Sequence, residues 1–364
     1  MTRLADRLPD FPWDKLAPYG EVARAHPGGL VNLSVGTPVD PVPAVVQEAL
    51  AAASDWPGYP TNWGTPALRD AICRWAGRTL HADLDHVNVL PTVGSKELVS
   101  LLPLLLGLGA DDTVVIPEIA YPTYDIGARI SGSRIVVSDS TLALGPERVS
   151  LVWLNSPSNP TGRVLGVEHL AKVVEWARSQ GAVVASDECY FELGWDAEPV
   201  SILDPRVNGG SFEGVLAVHS LSKRSNLAGY REGFVLGDPA IVGSLLEARK
   251  HMGLMVPGPV QDASIAALDD DVHVAEQRGR YGARRLRLRR ALEGAGFTIE
   301  HSEAGLYLWS TRGEDCWDTV RWLSERGILV APGEFYGVAG QRHVRIALTE
   351  TDERIDAAVE RLAL

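Results

Sequence analysis

Short apolar runs alternate with helix-like segments through the middle of this chain of 364 residues. The runs that read as strands lie at 87–90, 113–116, 134–137, 151–154, 182–185, 215–218 and 233–236. Parallel strands need long crossover connections, which are usually helices, so this alternation predicts a mainly parallel sheet covered on both faces. The sequence therefore predicts an α/β fold.

Beyond residue 239 the pattern changes. Three helices are expected at 239–251, 257–268 and 271–294, followed by an α+β tail of short strands and two helices. We expect an N-terminal arm over 1–40 that packs on a smaller C-terminal domain, a large domain over 41–260, and the small domain over 261–364.

The charge balance argues against two classes of partner. The formal net charge of −13 would repel nucleic acid and anionic membrane surfaces. Seven arginines lie between 278 and 290, but Leu286, Leu288 and Leu292 give that helix a core face, so a solvated arginine face is the better interpretation. The most apolar run, 98–108, is interrupted by Pro103 and is too short to span a bilayer.

The three cysteines, Cys73, Cys189 and Cys316, are odd in number and form no C-x-x-C pair. They predict neither a disulfide framework nor a metal site, and they favour a reducing compartment. The N-terminal residues 1–13 lack the continuous apolar segment of a signal peptide. We therefore expect a cytoplasmic protein without a bound metal.

Polar residues follow several of the predicted strands, where ligands of open α/β sheets bind. The loop after 215–218 carries Ser220, Ser222 and Lys223, with Arg231 further along. One interpretation is a lysine and an arginine on an exposed turn. The other is a lysine that forms a Schiff base with an aldehyde cofactor, whose phosphate is held by Ser220 and Arg231.

Two further loops allow both a structural and a functional interpretation. The segment P-T-V-G-S-K-E after residue 90 opens a helix, so it is either an ordinary N-cap made by Ser95 with Glu97 in the first turn, or a phosphate site. The segment N-S-P-S-N-P-T-G after residue 154 is either a tight turn or a turn in which Asn159 donates to a cofactor oxygen.

The segment S-D-E-C-Y follows the strand at 182–185. A carboxylate directly after an apolar strand is costly unless it is paired. Asp187 therefore either points to solvent or pairs with a cation such as a protonated pyridine nitrogen, and Tyr190 could reach the same ring.

Taken together and in this order, the motifs resemble those of the pyridoxal-phosphate aminotransferases of fold type I, class I/II, over nearly the full length of the chain. The resemblance implies that S-x-x-K and the arginine eight residues later form the segment that bears the cofactor. It also implies a phosphate loop at G-S-K, a phenolic-oxygen contact at N-P-T-G, and a ring-nitrogen carboxylate with a second phenolic-oxygen donor at D-x-x-Y. The residues that match are Ser220, Ser222, Lys223, Arg231, Gly94, Ser95, Lys96, Asn159, Asp187 and Tyr190.

Weaker matches extend the resemblance. Tyr59 looks like the tyrosine that reaches the phosphate of a neighbouring subunit's cofactor, which implies a homodimer. Arg345 looks like the arginine that binds the substrate α-carboxylate, and Gly36 like the glycine that closes over it, with Asn159 also lining that site. Tyr121 is expected to stack on the pyridine ring. Glu232 departs from the family pattern, and we expect it to pair with an arginine, Arg231 or Arg224, or to point to solvent.

The reaction implied is amino transfer between an amino acid and a 2-oxo acid, with Lys223 as the proton-transfer group and Asp187 and Tyr190 assisting. Three segments also look like those of actinobacterial succinyldiaminopimelate aminotransferases, which implies N-succinyl-LL-2,6-diaminopimelate and 2-oxoglutarate as substrates. Arg224 and Arg129 are candidates for a distal substrate carboxylate. The alternatives are an aspartate-, alanine- or aromatic-type aminotransferase, a β-eliminating C–S lyase, and, least favoured, a regulator's cofactor-binding domain, for which no DNA-binding segment is left over.

Overall fold

The computed structural model describes residues 3–140 and 148–363. Its strands are β1 Val31–Asn32, β2 Val89–Thr92, β3 Thr113–Ile116, β4 Arg134–Val137, β5 Val149–Asn155, β6 Val183–Asp187, β7 Val215–Ser220, β8 Gly233–Gly237, β9 Thr298–Glu300, β10 Tyr307–Thr311, β11 Ile328–Leu329, β12 Ala331–Pro332 and β13 Val344–Ala347. Its α-helices are α1 Ala17–Arg24, α2 Ala44–Ala52, α3 Pro66–Thr79, α4 Ser95–Leu105, α5 Thr123–Ser131, α6 Val167–Gln180, α7 Pro205–Asn208, α8 Leu221–Arg224, α9 Pro239–Met252, α10 Gly258–Asp269, α11 Val272–Gly294, α12 Cys316–Ser324 and α13 Asp352–Leu362.

Seven of these strands form the large sheet, in the order β2-β8-β7-β6-β5-β3-β4. All neighbours pair in parallel except β8, which is antiparallel to both β2 and β7. Side chains of α4, α5 and α9 form the core on one face, and side chains of α2, α3, α6 and α10 form it on the other. The predicted α/β fold with a mainly parallel sheet is confirmed.

A second core lies around the C-terminal strands. The antiparallel sheet β12-β13-β10-β9 packs with α11, α12 and α13. The N-terminal strand β1 pairs in parallel with β11, with Val31 opposite Ile328. The first strand of the chain therefore lies beside a strand of the C-terminal part. Helix α10 packs on α2 and α3 of the large sheet. The domain boundaries after residues 40 and 260 stay predictions.

The arginine-rich stretch of α11 differs from the sequence interpretation. Leu288 and Leu292 are buried as expected, but Leu286 is 51% exposed. Arg284 and Arg285 are buried rather than solvated, because the N-terminal, large-sheet and C-terminal parts of the chain bring carboxylates to them. A solvated face is therefore the wrong description of these two arginines.

None of the helices in residues 3–140 and 148–363 is both long enough and apolar enough to cross a bilayer.

Candidate active site

The carboxyl ends of β5, β6 and β7 bring the predicted site residues together. Asn155 at the end of β5 lies opposite Asp187 at the end of β6, and Asp187 lies opposite Val218 of β7. Because the three strands are parallel, the loops that follow them leave the sheet at the same edge. Asn159, Tyr190 and Lys223 lie within those loops.

Lys223 lies on the single-turn helix α8, which begins directly after β7. The Ser220 side chain caps this turn by accepting a hydrogen bond from Ser222 N at 3.1 Å, and its hydroxyl lies 2.8 Å from that of Ser222. The Lys223 ammonium donates to the carbonyl of Gly36. Burial lowers the pKa of Lys223, and the nearby Arg345 and Arg231 lower it further. A lowered pKa favours the neutral amine, the form that attacks an aldehyde.

Asp187 is a buried carboxylate at the bottom of the same cluster, with 7% of its surface exposed. The Tyr124 hydroxyl donates to its Oδ2 at 2.9 Å, and Cys189 N donates to its Oδ1 at 3.2 Å. Burial raises the pKa of Asp187, and the bonds from Cys189 and Tyr124 offset only part of this effect. A cationic group placed against this carboxylate would be stabilised. The solvent-facing alternative for Asp187 is therefore wrong.

Arg345 reaches the cluster from β13, and both of its terminal nitrogens are hydrogen-bonded, while its buried Nε has no partner among the described residues. Its Nη1 donates to Asn159 Oδ1 at 2.9 Å and its Nη2 donates to the carbonyl of Ser34 at 2.6 Å. The guanidinium lies 4.0 Å from the centre of the Tyr307 ring and 5.0 Å from that of Tyr336. Aromatic faces stabilise a desolvated cation, so the arginine remains charged while buried.

Tyr190 and Tyr307 form a pair of hydroxyls beside Arg345, with their oxygens 3.1 Å apart. Burial by itself would raise the pKa of Tyr307, but the positive charges of Arg345 and Lys223 and the bond with Tyr190 outweigh it and hold that pKa below its usual value. Gly36 lies against the same phenol, and a Cβ at that position would collide with the Tyr307 hydroxyl. The glycine is thus required by close approach.

The G-S-K segment lies at the N-terminus of α4, as expected. The N-cap is Gly94 with a φ of +72°, and Ser95 is the first helical residue, so the ordinary interpretation with Ser95 as the cap is wrong. Gly94 allows the guanidinium of Arg231 to approach, because a Cβ there would collide with it. Arg231 itself has a φ of +59°, in the left-handed region. The Lys96 side chain is exposed.

These residues fit pyridoxal phosphate, the cofactor that the resemblance implies. The buried Lys223 amine, whose pKa is lowered, suits an aldehyde, and the buried Asp187 carboxylate suits a pyridinium nitrogen. The free N–H groups at the start of α4, with Arg231 beside them, suit a phosphate dianion. The donor set therefore matches all three ends of the cofactor.

The two aromatic residues predicted to contact the cofactor lie at different depths. Tyr121 is half-buried just before α5, with its ring edge-on to that of Tyr124 at 5.9 Å. Burial raises the pKa of Tyr121, and Asp187 and Tyr307 add to the effect, so it lies near the cluster. Tyr59 is 97% exposed and lies on the surface of this chain.

Three charged residues differ from the sequence expectations. Glu232 is fully buried, and neither carboxylate oxygen has a hydrogen-bond partner among the residues that the structure describes, so neither the arginine pair nor the solvent position is correct. Arg224 is buried and pairs with Glu192 at 2.6 Å. Arg129 pairs with Asp125 of its own helix at 2.6 Å. Each of these two arginines is thus already paired within this chain, and a role in binding a distal carboxylate stays a prediction.

Sequence reasoning missed three members of the cluster. Tyr124 donates to Asp187, which lies 63 residues away in the sequence. The Tyr307 hydroxyl contacts that of Tyr190, which lies 117 residues away. Cys189 lies between Ser95 and Asp187, and burial raises the pKa of its thiol. The second tyrosine of A-Y-P-T-Y was a usable signal for Tyr124, whereas nothing local marks Tyr307.

The comparisons with known proteins agree with this geometry. Residues 29–362 match the family model of aminotransferase class I and II. The chain is 61% identical to the 4-dedimethylamino-4-oxo-anhydrotetracycline transaminase OxyQ of Streptomyces rimosus, covering 98% of this chain and 99% of that protein. It is also 61% identical to a probable aminotransferase of Mycobacterium tuberculosis, covering 98% and 85%.

More distant relatives agree on the class. The LL-diaminopimelate aminotransferase of Gloeobacter violaceus is 32% identical over 98% of this chain and 96% of its own length. The crystal structure of an aminotransferase from Neisseria meningitidis is 31% identical and superposes with a TM-score of 0.90, covering 100% of this chain and 98% of that one. The chain therefore belongs to aminotransferase class I and II and is a PLP-dependent aminotransferase of fold type I.

Proposed function

We propose that this aminotransferase moves an amino group between N-succinyl-LL-2,6-diaminopimelate and 2-oxoglutarate. Three segments support the proposal through their likeness to succinyldiaminopimelate aminotransferases, namely 91–103, 120–129 and 220–231. Proteins named LL-diaminopimelate aminotransferase are among the relatives, at 27–32% identity. Their named substrate carries the same diaminopimelate backbone without the succinyl group.

The observation that carries amino transfer is the position of Lys223. Its amine is buried beside the carbonyl of Gly36, and burial lowers its pKa. When bound, the cofactor supplies an electron sink for the α-carbon. Lys223 Nζ would carry the proton that leaves and re-enters the substrate, because a lowered pKa brings an amine closer to the range in which it serves as both base and acid.

The other residues of the site hold and orient the cofactor and the substrate. Asp187 keeps a proton on the pyridine nitrogen, while Asn159 and Tyr190 donate towards the phenolic oxygen. The start of α4 binds the phosphate together with Ser220, held by Ser222, and Arg231, with Lys96 at the rim. Arg345 binds the substrate α-carboxylate, with Gly36 and Asn159 beside it. Tyr121 lies against the ring.

A single half-reaction tests the chemistry. L-Glutamate added to the purified holoenzyme is expected to remove the absorbance of the lysine-bound cofactor and to release one equivalent of 2-oxoglutarate per site. N-succinyl-LL-2,6-diaminopimelate should do the same with a higher specificity constant than L-aspartate, L-alanine or L-phenylalanine. A preference for one of those three would replace the proposed substrate by the corresponding aminotransferase type. Release of pyruvate and ammonia from cystathionine would instead identify a C–S lyase.

The 61% identity to OxyQ favours a second candidate. That protein is named for a tetracyclic ketone, so the acceptor here could be a ring ketone rather than a linear 2-oxo acid. The discriminating measurement offers 4-dedimethylamino-4-oxo-anhydrotetracycline to the enzyme after it has reacted with glutamate. Faster return of the lysine-bound absorbance with this ketone than with the succinylated oxo acid would select the second candidate.

We also propose a homodimer in which Tyr59 contacts the phosphate of the other subunit's cofactor. Its 97% exposure supports this, because a tyrosine so exposed is available to a partner. A mixture of Lys223→Ala and Tyr59→Phe subunits should contain mixed dimers whose one intact site restores activity above that of either variant alone. A monomer by light scattering would contradict the dimer. The cytoplasmic location remains a prediction from the three free cysteines.

A further inference from the structure

Residues 34–40, which we call the strap, connect β1 to the segment before α2 and cross the candidate active site. Arg345 donates to the carbonyl of Ser34 at 2.6 Å, and Lys223 donates to the carbonyl of Gly36. Thr349 Oγ1 donates to the carbonyl of Val35 at 3.0 Å. The strap is therefore held by the two side chains proposed to bind cofactor and substrate.

Both of those side chains have other tasks in the proposed reaction. Lys223 would be bound to the cofactor at rest, and Arg345 would bind the substrate α-carboxylate. Two anchors of the strap take no part in the proposed chemistry, namely Thr349 at Val35 and, at the far end, the contacts of Asp40.

Asp40 is bound at two points by helix α11. Its two carboxylate oxygens accept from Nη1 and Nη2 of Arg284, each at 2.7 Å, and Oδ2 also accepts from Gln277 Nε2 at 2.8 Å. The side chains are 11% and 2% exposed for Asp40 and Arg284. Burial alone would raise the pKa of Asp40, but the bonds from Arg284 and Gln277 outweigh it and lower that pKa. Bidentate arginine–carboxylate pairs also fix orientation.

The same helix holds the Lys223 loop. Asn226, three residues after Lys223, donates from Nδ2 to Gln277 Oε1 at 3.1 Å and accepts from the Tyr281 hydroxyl at 3.3 Å. Asn226 has a φ of +57°, a conformation that persists where neighbouring contacts hold it. Gln277 thus joins the end of the strap to the loop of the proposed catalytic lysine.

We propose that Asp40 is a positioning residue of the aminotransfer reaction, which holds the strap over the substrate through Arg284 and Gln277 of α11 and keeps it in register with the Lys223 loop. The inference rests on the proposed function for its substrate, L-glutamate, and on the assigned PLP chemistry for its readout.

Asp40→Asn tests the proposal, and Asp352→Asn is its matched control. Asp352 also pairs with Arg284, through Nε at 3.2 Å, but lies on α13 and belongs to no part of the strap. The concentration of L-glutamate that half-saturates the single-turnover loss of lysine-bound absorbance should rise about tenfold or more in Asp40→Asn. It should stay within about twofold in Asp352→Asn, and cofactor affinity should stay within about twofold in both.

Hydrogen–deuterium exchange of the holoenzymes gives a readout that needs no substrate. The backbone amides of peptides covering 34–42 should exchange about tenfold faster in Asp40→Asn than in the wild type. Their exchange rate in Asp352→Asn should equal that of the wild type. If Asp40→Asn does not fold, Gln277→Met removes only the amide bridge and should give the same changes, about threefold in size. Equal effects in the Asp40 and Asp352 variants, or an unchanged strap, would overturn the proposal. If the wild-type enzyme does not react with L-glutamate, glutamate is not an amino donor of this enzyme. Hydrogen–deuterium exchange alone would then test the role of Asp40.

Discussion

Glu232→Gln should make the protein more stable at neutral pH. The Glu232 side chain is fully buried, and both its oxygens lack a hydrogen-bond partner among the described residues. Burial raises its pKa well above the ordinary value of a glutamate, which is about 4.3. The folded protein therefore keeps this carboxyl protonated at pH values where the unfolded chain has already released the proton.

The sign and size of the effect follow from this difference in bound protons. A folded pKa that is raised gives a stability contribution that is fully present below about pH 4.3 and is lost as the pH rises to the folded pKa. Within that window the free energy of unfolding of the wild type falls by about 1.4 kcal/mol per pH unit relative to that of a variant that cannot ionise. The advantage of Glu232→Gln should therefore grow with pH throughout that window.

Urea unfolding of the two holoenzymes at several pH values measures this advantage, because every other titrating group is common to both and cancels. Glu213→Gln is the control, since Glu213 is exposed and surface substitutions usually change stability by less than about 0.5 kcal/mol. The backbone contacts of residue 232, from Leu221 N and the Ser220 hydroxyl to its carbonyl, are unchanged by the substitution. A stability difference that stays constant from about pH 4.3 upwards would refute the reasoning and would show that Glu232 is not held protonated.

Three further substitutions probe the site. Asp187→Ala should lower the rate of the glutamate half-reaction at least about a hundredfold, measured by single-turnover absorbance, because no carboxylate is left to hold the pyridinium proton; a rate within tenfold of wild type would contradict the role. Tyr307→Phe removes one hydroxyl from the bond to Tyr190 and should shift the pH midpoint of the lysine-bound absorbance with little change in melting temperature, whereas an unmoved midpoint would make Tyr307 a packing residue only. Gly94→Ala should weaken cofactor binding about tenfold or more by equilibrium dialysis, because its Cβ collides with Arg231 and the left-handed φ disfavours alanine; unchanged affinity would exclude a phosphate site there.

Local patterns were sufficient for the fold class, and they placed the candidate site residues at the ends of the predicted strands. Strand and helix periodicities differ, so the alternation between 87 and 236 was readable, and polar residues stand out where apolar strands end. Asn159, Asp187 and Lys223 each follow such a strand. The direction of β8 was not readable, because an apolar run has the same composition whether it pairs in parallel or antiparallel.

Tertiary structure alone decided the contacts between distant segments. The bonds of Tyr124 to Asp187, of Tyr307 to Tyr190 and of Arg284 to Asp40 join residues 63, 117 and 244 positions apart. The same holds for Glu232, which lies directly before β8 and is fully buried in the folded chain. The sequence therefore identifies each charged residue but not its partner. Which partner it has, or whether it has one, is set by the packing of the whole chain.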